Sequence, residues 1–166
     1  IFNFADTSFS GEFGQVIHGI HDEAPLSLSH DGFLIESGAR EFIYMPMYMG
    51  YLAKYRNEEI ANVRSTIDGL QSPEIIETAG NYRLDPQSIY TAFNGSLSTE
   101  YLFVIAYHPS IKQLFLDIYN RKDLSYLRSV QSPVVFRFLA STREYLLATV
   151  DTTLYKWNID DLVRNE

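Results

Sequence analysis

The chain has 166 residues, 46% of them hydrophobic and 20% charged, which is enough to build a core and excludes a disordered tail. Its 13 basic and 21 acidic side chains give a formal charge of −8, and with no Lys/Arg cluster to offset it nucleic acid is disfavoured as a partner. There is no cysteine, hence no disulfide or thiolate metal site, and no apolar window reaches the roughly 18 residues a transmembrane helix requires.

Residues 1–31 begin Ile1-Phe2-Asn3, with no initiator Met and no charged-then-apolar leader, as a chain would that has lost a leader or is a piece of a longer one, and the incomplete ring read below favours the piece. The segment is polar and dotted with Gly11, Gly14 and Gly19, as the tail of a preceding unit plus a loop would be. It carries His18-Gly19-Ile20-His21-Asp22-Glu23, with His30 nearby. Two imidazoles three apart with carboxylates would suit zinc on a helical turn. The glycines argue against such a helix, and a solvated loop is the plain alternative. No metal or cofactor is assigned, and His18 and His21 stand only as weak candidates.

Beyond residue 31 one pattern is written three times. Arg40-Glu41-Phe42, Thr99-Glu100-Tyr101 and Arg143-Glu144-Tyr145 each close a polar turn and open an apolar run. An apolar first strand precedes each turn (33–36, 89–93, 134–139). The runs after it (42–49, 101–107, 145–150) are apolar at both alternating positions, as strands covered on both faces are. Third strands follow at 51–56, 111–119 and 153–157, ending in Tyr55, Tyr119 and Trp157, which should occupy matching buried positions. Fourth strands run through Val63-Arg64-Ser65, Leu127-Arg128-Ser129 and Val163-Arg164-Asn165.

No 10 to 15 residue amphipathic crossover appears between these strands, so antiparallel sheets stacked face to face fit better than a parallel α/β sheet. The expectation is an all-β fold of β-propeller blades over about 32–68, 89–130 and 134–166, roughly half of a six-bladed ring. Residues 74–88 are an insertion suited to a short helix or a long connection. Three blades leave two apolar flanks, so the chain is expected to pair with a second copy as a homodimer or to lack the other half of its propeller.

The candidate chemistry is sparse. Tyr48, His108 and Asp151 fall between the second and third strands of successive units and would share one rim, although a surface turn suffices to explain His108-Pro109-Ser110. Arg137, on an innermost strand, would line the central channel. Asp31-Gly32 and Asp68-Gly69 read as turns, since calcium needs several oxygen ligands at alternating positions. Met45, Met47 and Met49 read as core filling on one strand face. No serine has a nucleophile-elbow setting.

The stretch 42–45 through Gly50-Tyr51-Leu52-Ala53-Lys54-Tyr55 to Arg64-Ser65-Thr66-Ile67-Asp68 resembles one blade of the bacterial TolB-like six-bladed β-propellers, common among secreted lipoproteins of gut anaerobes. The stretch Leu114-Phe115-Leu116-Asp117-Ile118-Tyr119 is similar. The resemblance covers about residues 30–160 and implies a periplasmic or cell-surface location. It also implies a non-catalytic binding module for a glycan, peptide or protein. The alternative is a propeller hydrolase or lyase using His and carboxylates at the funnel.

Overall fold

In the computed structural model the described residues are 30–57, 59–69, 73–132, 136 and 138–164. They form an all-β structure of antiparallel sheets. The first sheet is β1 (Gly32–Gly38), β2 (Glu41–Pro46), β3 (Tyr51–Arg56) and β4 (Glu59–Ser65), hydrogen-bonded in that order. A hairpin follows, β5 (Ile75–Thr78) and β6 (Asn81–Leu84). The second sheet is β7 (Ala92–Leu97), β8 (Tyr101–His108), β9 (Gln113–Asn120) and β10 (Tyr126–Gln131), again in chain order. The third has three strands, β11 (Phe138–Ser141), β12 (Tyr145–Val150) and β13 (Thr153–Asn158), and then the helix α1 (Ile159–Val163).

The doubly apolar runs explain the stacking. Leu102, Val104 and Ala106 of β8 turn one way and meet Ile43, Met45 and Leu52 of the first sheet. Phe103 and Ile105, one residue out of phase, turn the other way and meet Leu146 and Ala148 of the third. Sheet period two thus sends alternate residues into two cores, and the second sheet is covered on both faces. The first strands lie side by side, β1 beside β7 and β7 beside β11. Gly95 makes the first approach: a Cβ there would stand 2.7 Å from Ile35 Cδ1 and 3.2 Å from Phe103 O.

The three sheets share a register. The amides of Asn57, Arg121 and Ile159 donate to the carbonyls of Arg40, Glu100 and Glu144, each at 2.8 to 2.9 Å. Arg40 is therefore the counterpart of Glu100 and Glu144, and the first copy of the tripeptide is displaced by one residue. Its Glu41 stands where Tyr101 and Tyr145 do. The landmark aromatics do correspond: Tyr55, Tyr119 and Trp157 lie opposite Phe42, Leu102 and Leu146. Tyr55 and Tyr119 are buried, whereas Trp157 is only half-buried, contrary to expectation.

Other expectations are corrected. The insertion is neither helix nor plain connection but the β5–β6 hairpin, turned by Ala79 and Gly80 at φ 53° and 77°. The fourth strand expected through Val163-Arg164-Asn165 is replaced by α1. Asn158 caps this helix by accepting from the Asp160 amide at 2.9 Å, and Asp160 and Asp161 occupy its first turn. β7 begins at Ala92 rather than 89. Met45 and Met49 fall in different cores, because β2 ends at Pro46 and the chain turns through Gly50 at φ 58°.

The first flank is not exposed either. Tyr44, Tyr51, Ala53 and Tyr55 form a buried cluster on the outer face of the first sheet, with Leu84 of the hairpin packed against it. The outer face of the third sheet does present apolar side chains, Phe138 and Leu154 each being 63% exposed.

Candidate functional site

The turns β2–β3, β8–β9 and β12–β13 all emerge at one end of their sheets, and Tyr48, His108 and Asp151 lie at that end. Tyr48 leaves β2 and is nearly buried, with its ring centroid 4.6 Å from that of Tyr90. Tyr90 continues the row to Phe93 at 5.5 Å and is 40% exposed, beside the exposed Ile89. Thr91 fastens this row: its amide and hydroxyl both donate to Met47 O, at 2.7 and 3.1 Å, while its hydroxyl accepts from the Gly50 amide at 3.2 Å. Burial first, then the hydrogen bond and charge of Tyr90 and the charge of Asp31, push the Tyr48 hydroxyl up to about 12.

His108 does not point to this rim. It closes β8 on the face toward the first sheet, and its Nε2 lies 3.0 Å from both carboxylate oxygens of the wholly buried Asp117. Ser129 of β10, directly opposite Asp117, donates to Oδ1 at 2.5 Å, and the Tyr119 hydroxyl donates to Oδ2 at 3.5 Å. Phe115 stacks on the imidazole with centroids 4.4 Å apart. From the first sheet, Asp68 brings Oδ2 to 3.7 Å from His108 Nε2. Burial raises the Asp68 carboxyl and the Asp117 charge raises it further, against the opposing pull of His108.

Asp68 is held there by a glycine contact. Gly50 has φ 58°, and a Cβ on it would lie 2.2 Å from Gly69 O, so the β2–β3 turn and the loop after β4 meet backbone to backbone. The cluster therefore spans two sheets and turns inward. In hydrogen-bonding terms it is a buried carboxylate with its donors supplied, a His ring nitrogen among them.

Asp151 sits in the β12–β13 turn at φ 50° and is exposed, whereas His108 ends β8 and faces inward, so Tyr48, His108 and Asp151 are not gathered into one site. Arg137, His18 and His21 lie outside the described residues. Among the described residues, no three His, Asp or Glu side chains are arranged to hold a metal ion, and no helix is long and apolar enough to cross a membrane.

The opposite end of the sheets carries a cleft of about 360 Å³ lined by Lys54, Glu100, Tyr101 and Arg121 among others. Two of its cations, Lys54 and Arg121, join the sheets. The buried Lys54 Nζ lies 3.1 Å from Glu41 and donates to Arg121 O and Lys122 O at 3.2 and 3.4 Å. Arg121 donates to Ser37 Oγ and Ser98 O at 3.2 and 2.9 Å. Burial works to raise the Glu41 carboxyl, but hydrogen bonds from Ser37, Arg56 and Lys54 and the Lys54 charge outweigh it and hold it at about 2.

Sequence reasoning missed Asp117, Ser129 and Tyr90, and took Asp68 for punctuation. One signal was available: Asp117 is a lone carboxylate inside the apolar run of β9, a position that needs a buried partner. The chain matches no protein-family model and no curated protein.

Proposed function

We propose that this chain is part of a β-propeller, about half of a six-bladed ring, and serves as a non-catalytic binding module outside the cytoplasm. Its ligand would be a glycan, a peptide or a protein presented to the aromatic rim. Support for the blade reading comes from the two four-stranded meanders, from the shared register, and from first strands lying side by side. The exposed Phe138 and Leu154 are what a sheet awaiting a further neighbour would present. The location rests on the TolB-like resemblance.

One observation carries the choice of binding over catalysis. The His–carboxylate cluster of His108, Asp117 and Asp68 is closed between two sheets, whereas Tyr90, seated between the buried Tyr48 and the half-buried Phe93, is 40% exposed at the rim beside the exposed Ile89. A general base must reach the proton it removes, and His108 is 6% exposed with Nε2 already committed to Asp117. Rigid aromatic rings with a polar tip are, in contrast, suited to contact surfaces.

Glycan and peptide arrays probed with the chain and with Tyr90→Ala test the reading. The expected result is a set of binders whose affinity falls about tenfold or more in Tyr90→Ala, as loss of an aromatic contact of about 1.4 kcal/mol would give. Turnover of chromogenic ester, glycoside or phosphate substrates that disappears in His108→Gln would overturn it.

A further inference from the structure

The first and second sheets have four strands and the third has three; among the described residues no strand pairs with the far edge of β13. The shared register says what such a strand would have to supply. Tyr55 lies between Phe42 and Ile60, and Tyr119 between Leu102 and Tyr126. Both fourth strands also carry an irregularity at the same point. In β4 the pairing passes from Ile60 to Asn62, and in β10 from Tyr126 to Arg128. With that flanking residue present, Tyr55 and Tyr119 are 1% and 0% exposed.

Trp157 has only the near-side neighbour, Leu146. Its ring stacks on Tyr155 at 5.7 Å and meets the buried Phe136 edge-on at 5.4 Å, yet it stays half-buried. α1 does not return along β13; it drops Ile159 and Leu162 into the core shared with the second sheet. Edge strands are commonly blunted by a projecting Lys. Here Lys156 folds over its own sheet, with Nζ 3.7 Å from the centroid of the Tyr145 ring.

We propose that β13 accepts an extended segment of a partner polypeptide as an antiparallel fourth strand. The segment would set an apolar or aromatic residue against Trp157, as Ile60 and Tyr126 are set against Tyr55 and Tyr119. A polar residue would lie opposite Lys156, as Asn62 lies opposite Lys54. Main-chain hydrogen bonds along β13 give the affinity, and the gap beside Trp157 gives the selectivity. This deepens the interaction-module reading by naming a class of partner, and it rests on that reading for the existence of one.

Two readouts on the whole chain test it. Trp157 is the sole tryptophan, so its emission reports the edge directly. The probe is a synthetic peptide copying residues 124–132, which contains the fourth strand native to the second sheet, alongside the same peptide N-methylated along its backbone. The expected result is a saturable blue shift, with β13 amide exchange slowed about tenfold or more by the peptide and unaffected by its methylated form. Absence of both effects overturns the proposal, as does equal binding by the methylated form. So does a free chain whose β13 amides are already as protected as those of β12, since the edge would then be covered. The peptide effect should persist in Tyr90→Ala. Loss of it there would move the peptide to the rim and remove the strand site, while failure of the rim alone would leave it standing.

Discussion

His108 Nε2 stands 3.0 Å from both oxygens of Asp117, and that carboxylate has no exposure to solvent. The pair ties the end of β8 to the middle of β9, and Asp68 brings the loop after β4 to the same point. A buried charge is tolerated only when paired and hydrogen-bonded. Here the imidazole, Ser129 and Tyr119 surround the Asp117 carboxylate.

Replacing Asp117 by Ala should therefore be among the costliest changes in the second sheet. It leaves His108 and the Tyr119 hydroxyl buried, and the half-buried Ser129 beside them, without their common acceptor, at a cost of about 3 to 5 kcal/mol. Urea denaturation checks it. A loss under about 1 kcal/mol would mean that the cluster is hydrated and open.

Acid stability should turn on Glu41. Its folded carboxyl is held at about 2, below the 4.5 of the free group. A depressed carboxylate contributes stability above its unfolded value and loses it as pH falls through the folded one. The contribution should be intact above about pH 4.5 and gone below about pH 2, amounting to roughly 2 kcal/mol after allowance for partial solvent screening. In Glu41→Gln the fall in stability across that window should be smaller by this amount, as read from denaturation midpoints at stepped pH.

The outer face of the third sheet should behave as surface. Leu154 is 63% exposed, so Leu154→Thr should change the unfolding free energy by no more than about 0.5 kcal/mol. A loss of about 2 kcal/mol would show the face to be covered.

Strand positions were legible because covered strands are written in doubly apolar runs: β3 and β12 occupy the residues expected of them, and β8 differs by one. The tripeptide alignment slipped by one residue at Glu41, since composition cannot distinguish Glu41 pairing with Arg56 inside a strand from Glu100 lying before one. Such a slip reverses the face of every side chain. The fourth strand expected in the third unit is instead α1, because the cap at Asn158, with Asp160 and Asp161 in the first turn after it, outweighs the repeat of Arg164. The rim was half legible. Tyr48 could be placed by counting turns, but its partner Tyr90 comes from a segment 42 positions later, joined to it through Thr91 and Met47. The chemistry of His108 is legible in the sequence, whereas its direction is not, because it depends on the pairing of β8 with β9.

On the reading proposed above, His108 serves the scaffold and binding belongs to the aromatic rim. The most direct test is solvent exchange of the His108 Nε2 proton, read by nitrogen-15 NMR of the intact chain. The expected result is an observable, slowly exchanging proton hydrogen-bonded to Asp117, and its loss in Asp117→Asn. Exchange as fast as that of a free imidazole would contradict it, since the ring would then be open to solvent as a catalytic base must be.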